Sequence, residues 1–148
     1  LMRTMTSIEE IEITAICDTY PETFEKAFQI FDEANLKRPD TYTDYNEMLG
    51  RQDIEGVIIA THWITHIPLA IACMKAGKYA GVEVGGAASI EECWQLVRVY
   101  EETGVPCMLL AILCCKGLVM YWCNLALICH QTTLSGLFRS FWFSDNIH

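Results

Sequence analysis

The sequence predicts an α/β fold, a doubly wound parallel sheet that is incomplete at its start, and three observations carry that expectation. Val57-Ile58-Ile59 is a β-branched run with no polar alternation, suited to a strand buried on both faces, and it breaks at Ala60-Thr61 into a helix start. Strand-like and helix-capped segments alternate from about residue 11 to residue 110. Charge changes character near Leu110. Residues 1–110 hold 8 of the 10 basic and 18 of the 19 acidic side chains, a net of −10, whereas residues 111–148 set Lys116 and Arg139 against Asp145, a net of +1. The chain thus divides into a partial domain over 1–110 and an atypical apolar tail over 111–148.

In order, the first ten residues read as the end of a helix and a loop, and residues 11–17 as a strand ending at Asp18. Thr19 and Glu22 suggest a capping box around Pro21, and Phe24, Ala27, Phe28 and Phe31 share one face of the helix that follows. Asn35 and Pro39 close it. A short extended piece around Tyr42 leads to a second capping box, Asp44 with Glu47, over a brief helix that stops near Gly50. Residues 56–60 are the buried strand. Thr65 can cap a helix over about 66–76 whose first turn tolerates Pro68, with Gly77 placed for the left-handed position after it. Residues 79–84 form a further strand, Gly85-Gly86 turns the chain, and Ser89 with Glu92 caps a helix running to Thr103 and ended by Gly104. Residues 105–110 are again strand-like.

Composition bounds the function. At 148 residues and 52% hydrophobic content the chain has one domain's worth of core, and a net charge of −9 argues against a nucleic-acid surface, which needs clustered Lys and Arg. No secretory apolar segment precedes the eight cysteines, and most lie in apolar runs, so they read as reduced thiols of a cytoplasmic protein.

Asp18 carries the first chemical argument. A carboxylate at the C-terminal end of a strand can accept both hydroxyls of an adenosine ribose, and in dinucleotide folds this is the second strand, about twenty residues after a glycine loop. Equally, Asp18 can simply start a helix. The glycine loop that would decide is missing: no GxGxxG occurs, and Gly81, Gly85 and Gly86 follow the wrong strand.

ICD at 16–18, ATHWITH at 60–66, MKAGKYAGVEV at 74–84 and ASIEECWQLV at 88–97 together resemble the nucleotide-binding half of the Gfo/Idh/MocA oxidoreductases, over about residues 5–110. The resemblance implies a Rossmann-like domain that binds NAD, with Asp18 on the adenosine ribose. It implies that the family's ATPxxxH motif, which lines the cofactor near the nicotinamide, maps onto Ala60, Thr61 and His66, with His62 where proline is usual. The EKP motif maps onto Glu83, Val84 and Gly85, so Val84 replaces the lysine commonly assigned to proton transfer. That lysine-less form is similar to the branch that includes NAD-dependent α-N-acetylgalactosaminidases. Its implied chemistry is transient oxidation of the sugar, cleavage by elimination, and return of the hydride. The candidate cofactor-binding residues are therefore Asp18, Ala60, Thr61, His62, Trp63, His66 and Glu83; no catalytic residue is assigned and no metal is expected. An acid at Asp18 repels a 2′-phosphate, so NAD is preferred to NADP.

Each of these has a plainer role beside it. His66 can donate to a nearby carbonyl and be structural. His62 and Trp63 can lie along a cofactor or cover the sheet edge, and Glu83 can orient a ribose or be a solvated terminal acid.

The tail departs from the family. Its stretch AILCCKGLVMYWCNLALICH is about twenty residues long and mostly apolar, but Lys116, Gly117 and Asn124 interrupt it and its flanks lack basic bias, so no membrane span is expected. Cys114, Cys115, Cys123, Cys129 and His130 lack the paired spacing of zinc knuckles. The expectation is a truncated or shifted reading frame.

The expected function is therefore that of the NAD(P)-binding domain of a sugar- or polyol-acting oxidoreductase or NAD-assisted glycosidase, inactive as this piece. The competing expectation is a non-catalytic remnant or partner-binding fragment, and a homo-oligomer stays open. In the doubly wound order 3-2-1-4-5-6 the missing first strand lies between the strand ending at Asp18 and the strand over 56–60. Two open rows of backbone groups would then flank a gap, at about 1–3 kcal/mol per group buried unpaired. Residues 118–127 are long enough for a replacement strand, but nothing in their pattern is shaped for the slot, so the expectation is a marginal, aggregation-prone protein.

Overall fold

The computed structural model describes residues 1–110, as ten elements in strict alternation after a short opening helix. These are α1 (Met2–Met5), β1 (Ala15–Cys17), α2 (Glu22–Glu33), β2 (Asp40–Tyr42), α3 (Tyr45–Leu49), β3 (Gly56–Ile59), α4 (Trp63–Lys75), β4 (Tyr79–Glu83), α5 (Ile90–Thr103) and β5 (Cys107–Leu110). The tail, with its cysteines, His130 and the 118–127 segment, lies outside the described residues.

All strand pairs are parallel, and they form two sheets rather than one, β1-β2 and β3-β4-β5. Set in doubly wound order, β2 and β1 take the third and second positions, and β3, β4 and β5 take the fourth to sixth. Among the described residues no strand fills the first position and no ladder joins β1 to β3. The fold class and its gap are both as the sequence predicts.

Side chains hold the halves together. On one face Ala15 and Cys17 of β1 share a buried cluster with Val57 and Ile59 of β3, Ala80 and Val82 of β4, Leu69, Ala70, Cys73 and Met74 of α4, and Met48 and Leu49 of α3. On the other, α1 reaches both sheets: Met2 packs with Ile16, Ala27 and Phe31, while Met5 packs with Ile58. Polar groups add a second tie. Arg51 pairs with Asp40 of β2 at 2.6 Å and with Asp53 at 2.5 Å, and its carbonyl accepts from Nζ of the buried Lys78, just before β4, at 2.7 Å.

Local signals explain most boundaries. Asp44 and Ser89 cap α3 and α5, accepting from Asn46 N at 2.8 Å and from Glu92 N at 3.2 Å. Gly77 ends α4 in a Schellman pattern, with its N–H on Met74 O and that of Lys78 on Cys73 O.

Three expectations are corrected. β1 has three residues, not seven, because a strand extends only as far as its partner and β2 begins at Asp40, after a proline with no N–H. Thr19 and Glu22 form no capping box: Pro21 is the N-cap, and Asp18 organises the approach by accepting Tyr20 N at 2.9 Å. Finally, α4 starts a turn earlier than Thr65 suggests, with His62 as its N-cap. Pro68 therefore sits inside the helix, where it removes the bond to the carbonyl of Ile64 in the exposed first turn.

Candidate functional site

Parallel strands deliver their C-terminal ends to one edge, and register makes this specific for β3 and β4. Ile59 pairs with Val82, so Ala60 and Thr61 leave the sheet level with Glu83 and Val84. Ala60 is buried, Glu83 is half-buried as the last residue of β4, and Val84 is 45% exposed.

The turn from β3 into α4 is closed by a chain of hydrogen bonds. The Thr65 hydroxyl donates to His62 O at 2.7 Å, and this uses its only proton. In the 2.7 Å contact between Thr61 Oγ1 and Thr65 Oγ1, Thr61 is therefore the donor. His66, 1% exposed, sits 2.8 Å from Thr61 O through Nε2, and because a carbonyl only accepts, Nε2 carries the proton. Its Nδ1 is the one buried side-chain polar atom without a partner among the described residues. The ring thus fixes the Thr61 carbonyl and offers almost no surface of its own.

Trp63 faces the opposite way, 66% exposed, yet it is seated. A β-carbon at Gly85 would stand 2.5 Å from Trp63 Cδ1 and 2.6 Å from Nε1, so the indole lies against the bare Cα of Gly85. Gly85 has φ +126°, where proline, held near −65°, cannot sit. The turn after β4 therefore differs from an EKP turn in backbone as well as in side chain, and Val84 leaves no ammonium there.

Asp18 ends the other sheet. It is 3% exposed, its N–H continues the ladder to Tyr42 O at 3.0 Å, and its Oδ1 holds Tyr20 N. The structure thus brings Ala60, Thr61, His62, Trp63, His66 and Glu83 together at the end of β3 and β4, and places Asp18 at the end of β1 without a ladder between the sets. Two residues of the edge have parts that their sequence context does not show: Thr65, which reads as a cap, bonds from inside the helix, and Gly85, which reads as half of a glycine turn and as the third position of the EKP motif, bears the Trp63 indole.

The donors and acceptors suit the two ends of a dinucleotide: a fixed carboxylate for a ribose, and a flat indole with a hydroxyl pair and an acid for the other end. The missing β-carbon at Gly85 is the space in which that indole lies, and its other side stays exposed. Among the described residues no glycine-rich turn opens a helix to hold a pyrophosphate. No group of three or more His, Cys, Asp or Glu side chains there could hold a metal ion, and no helix there is long and apolar enough to cross a membrane. Cys73, Cys93 and Cys107 are free thiols; burial pushes Cys73 up to about 12, with Cys107 nearby adding to it, and Cys107 up to about 11.

Known proteins with this pattern are oxidoreductases and glycosidases. Glycosyl hydrolase family 109 protein 1 of a Shewanella species is 43% identical over 107 residues, covering 70% of this chain and 23% of the relative. The α-N-acetylgalactosaminidase of Bacteroides fragilis is 38% identical over 122 residues, covering 80% and 29%. The chain spans about a quarter of the length of the curated relatives it matches. Among solved structures, an oxidoreductase from Agrobacterium radiobacter in complex with NAD+, L-tartaric acid and magnesium shares the fold at 22% identity and a TM-score of 0.62, over 73% of this chain and 30% of that one. The family described as "Oxidoreductase family, NAD-binding Rossmann fold" matches residues 2–110, and the chain belongs to it, as a member of the Gfo/Idh/MocA oxidoreductases.

Proposed function

We propose that residues 1–110 are the NAD-binding part of a sugar-acting enzyme of the glycosyl hydrolase 109 kind, and that this chain by itself turns over no substrate. The observation that carries the reading is the sheet order. β1 pairs with β2, and β3 with β4 and β5; set in doubly wound order, the strands run outward in opposite directions from the position between β1 and β3, and open α/β sheets bind ligands at the C-terminal ends of the strands where the order reverses. Asp18 and the Thr61–Trp63 loop end the two strands on either side of that reversal.

In this reading Asp18 accepts the hydroxyls of the adenosine ribose, its carboxylate held in orientation by Tyr20 N. Ala60, Thr61, His62 and Trp63 line the nicotinamide end, and Glu83 orients the adjoining ribose. His66 serves the site through the Thr61 carbonyl it holds. When bound, NAD supplies reversible hydride acceptance at the sugar. With Val84 in the lysine position this edge moves no proton itself, so proton transfer falls to residues beyond the described ones in a full-length relative, as does enclosure of the sugar.

Titration of the chain with NAD and NADP tests the reading. NAD should bind about tenfold more tightly, since two like charges near 4 Å repel by roughly 1–4 kcal/mol at or near a protein surface. Asp18→Ala should erase most of that difference. Equal discrimination before and after the substitution, or sugar-dependent NADH formation above the Asp18→Ala level, would overturn it.

A further inference from the structure

We propose that Gly85 is a positioning residue of this edge: its bare Cα is the seat that holds the Trp63 indole as a flat wall for the nicotinamide end of the cofactor. The inference rests on the NAD reading above and adds a residue to it.

Two features of Gly85 point to one purpose. Its φ of +126° is open only to glycine at low cost, and its missing β-carbon is the space the indole uses, with Cδ1, Nε1 and Cγ of Trp63 all within 2.9 Å of where that carbon would stand. A turn glycine needs only the first. A tryptophan at the exposed N-terminal turn of α4 would ordinarily sample several rotamers, and ordering it on binding costs affinity. Here the side chain is ordered in advance and two-thirds of it still faces outward. Val84, next in the chain, is also exposed and puts an apolar side chain where the EKP motif has an ammonium. A planar ring with one face on a seat and the other open offers stacking, worth about 0.5–1.5 kcal/mol for an aromatic pair.

The test uses the full chain labelled with 5-fluorotryptophan. The Trp63 fluorine line, assigned with Trp63→Phe, should move towards the position of free fluorotryptophan in Gly85→Ala, while the Trp94 line on α5 stays in place and reports that the fold is intact. NAD should shift the Trp63 line in the unaltered chain. Gly85→Ala should weaken NAD about tenfold, the upper end of one stacking contact. In a Trp63→Ala background the same glycine substitution should change affinity by less than about twofold, because nothing is left to unseat. Trp63→Leu leaves Gly85 untouched and should weaken NAD by the same factor, which keeps the test decisive should Gly85→Ala fail to fold.

An unmoved Trp63 line with the Trp94 line intact would overturn the seat. A moved line with unchanged NAD affinity would overturn the indole's part in binding. A glycine effect present in the single variant and lost in the Trp63→Ala background supports the proposal, and an equal effect in both backgrounds would overturn it. If the unaltered chain takes up no NAD while the Trp63 line still moves in Gly85→Ala, the NAD reading itself is what fails, and the wall for a cofactor falls with it.

Discussion

The β1–β2 pair and the β3–β4–β5 sheet are built from the same kind of sequence, short apolar strands between capped helices, yet they are held very differently. Each strand of the first has three residues and one partner, and β2 is largely exposed. In the second, β4 has a partner on both sides, and Val57, Ile59, Ala80 and Val82 are buried beneath α4 and α5. A parallel sheet draws stability from strands that are paired twice and covered on both faces. Among the described residues only the second half has a strand paired on both sides, β4, with Ala80 and Val82 on its buried face. The difference matters for function because the candidate site is divided along the same line. The residues proposed for the nicotinamide end are carried by the firm half, and Asp18, proposed for the adenosine end, by the pair that is held chiefly by side chains.

The largest expected effect lies in the firm half. Ile59→Ala removes a fully buried side chain at the centre of the main cluster and should cost about 2–5 kcal/mol in a urea titration. A cost below about 1 kcal/mol would mean that this sheet is not the stable centre. Next is the polar tie between the halves. Lys78→Met leaves the Arg51 carbonyl without the Nζ donor and should cost about 1–3 kcal/mol. It should also loosen β2 through the Arg51–Asp40 pair, readable as faster exchange at the amides of residues 40–42. No change there would make the tie irrelevant to the weaker half.

A smaller effect is set by pH. In the unfolded chain Cys73 and Cys107 ionise near their ordinary value of 9.0, whereas in the fold burial holds them to about 12 and about 11. Between those values the unfolded state carries fewer protons, so stability is fully present below pH 9 and declines as pH rises, by about 1.4 kcal/mol per pH unit for each thiol. Cys73→Ala should remove about half of that slope. An alkaline limb that the substitution leaves unchanged would show that Cys73 is not buried as described.

Which parts of this were legible in the sequence follows from where each signal resides. The caps at Asp44 and Ser89 and the glycines at 77 and 104 act within a few residues of themselves, so they read correctly from the local pattern. The strand order, including its empty position, follows from alternation and the doubly wound rule. The start of α4 did not, because Thr65 satisfies a helical turn as well from inside, on His62 O, as it would from a cap. The length of β1 is decided by what β2 offers across the sheet, which the residues of β1 do not encode. Within the site, Thr61 and His66 were recognisable as a set. The partnership of Trp63 with Gly85 was not, since it depends on the register of β3 against β4 bringing two separate turns into contact.

The central claim is that, among the described residues, the two halves share a core but no backbone ladder, and native-state hydrogen exchange measures that directly. Amides of residues 57–59, paired within a three-stranded sheet, should be protected at least about thirtyfold more than those of residues 15–17, a difference of roughly 2 kcal/mol in local opening. Equal protection across both segments, in a monomer with one sharp unfolding transition, would contradict it and show that β1 and β3 are joined through a strand.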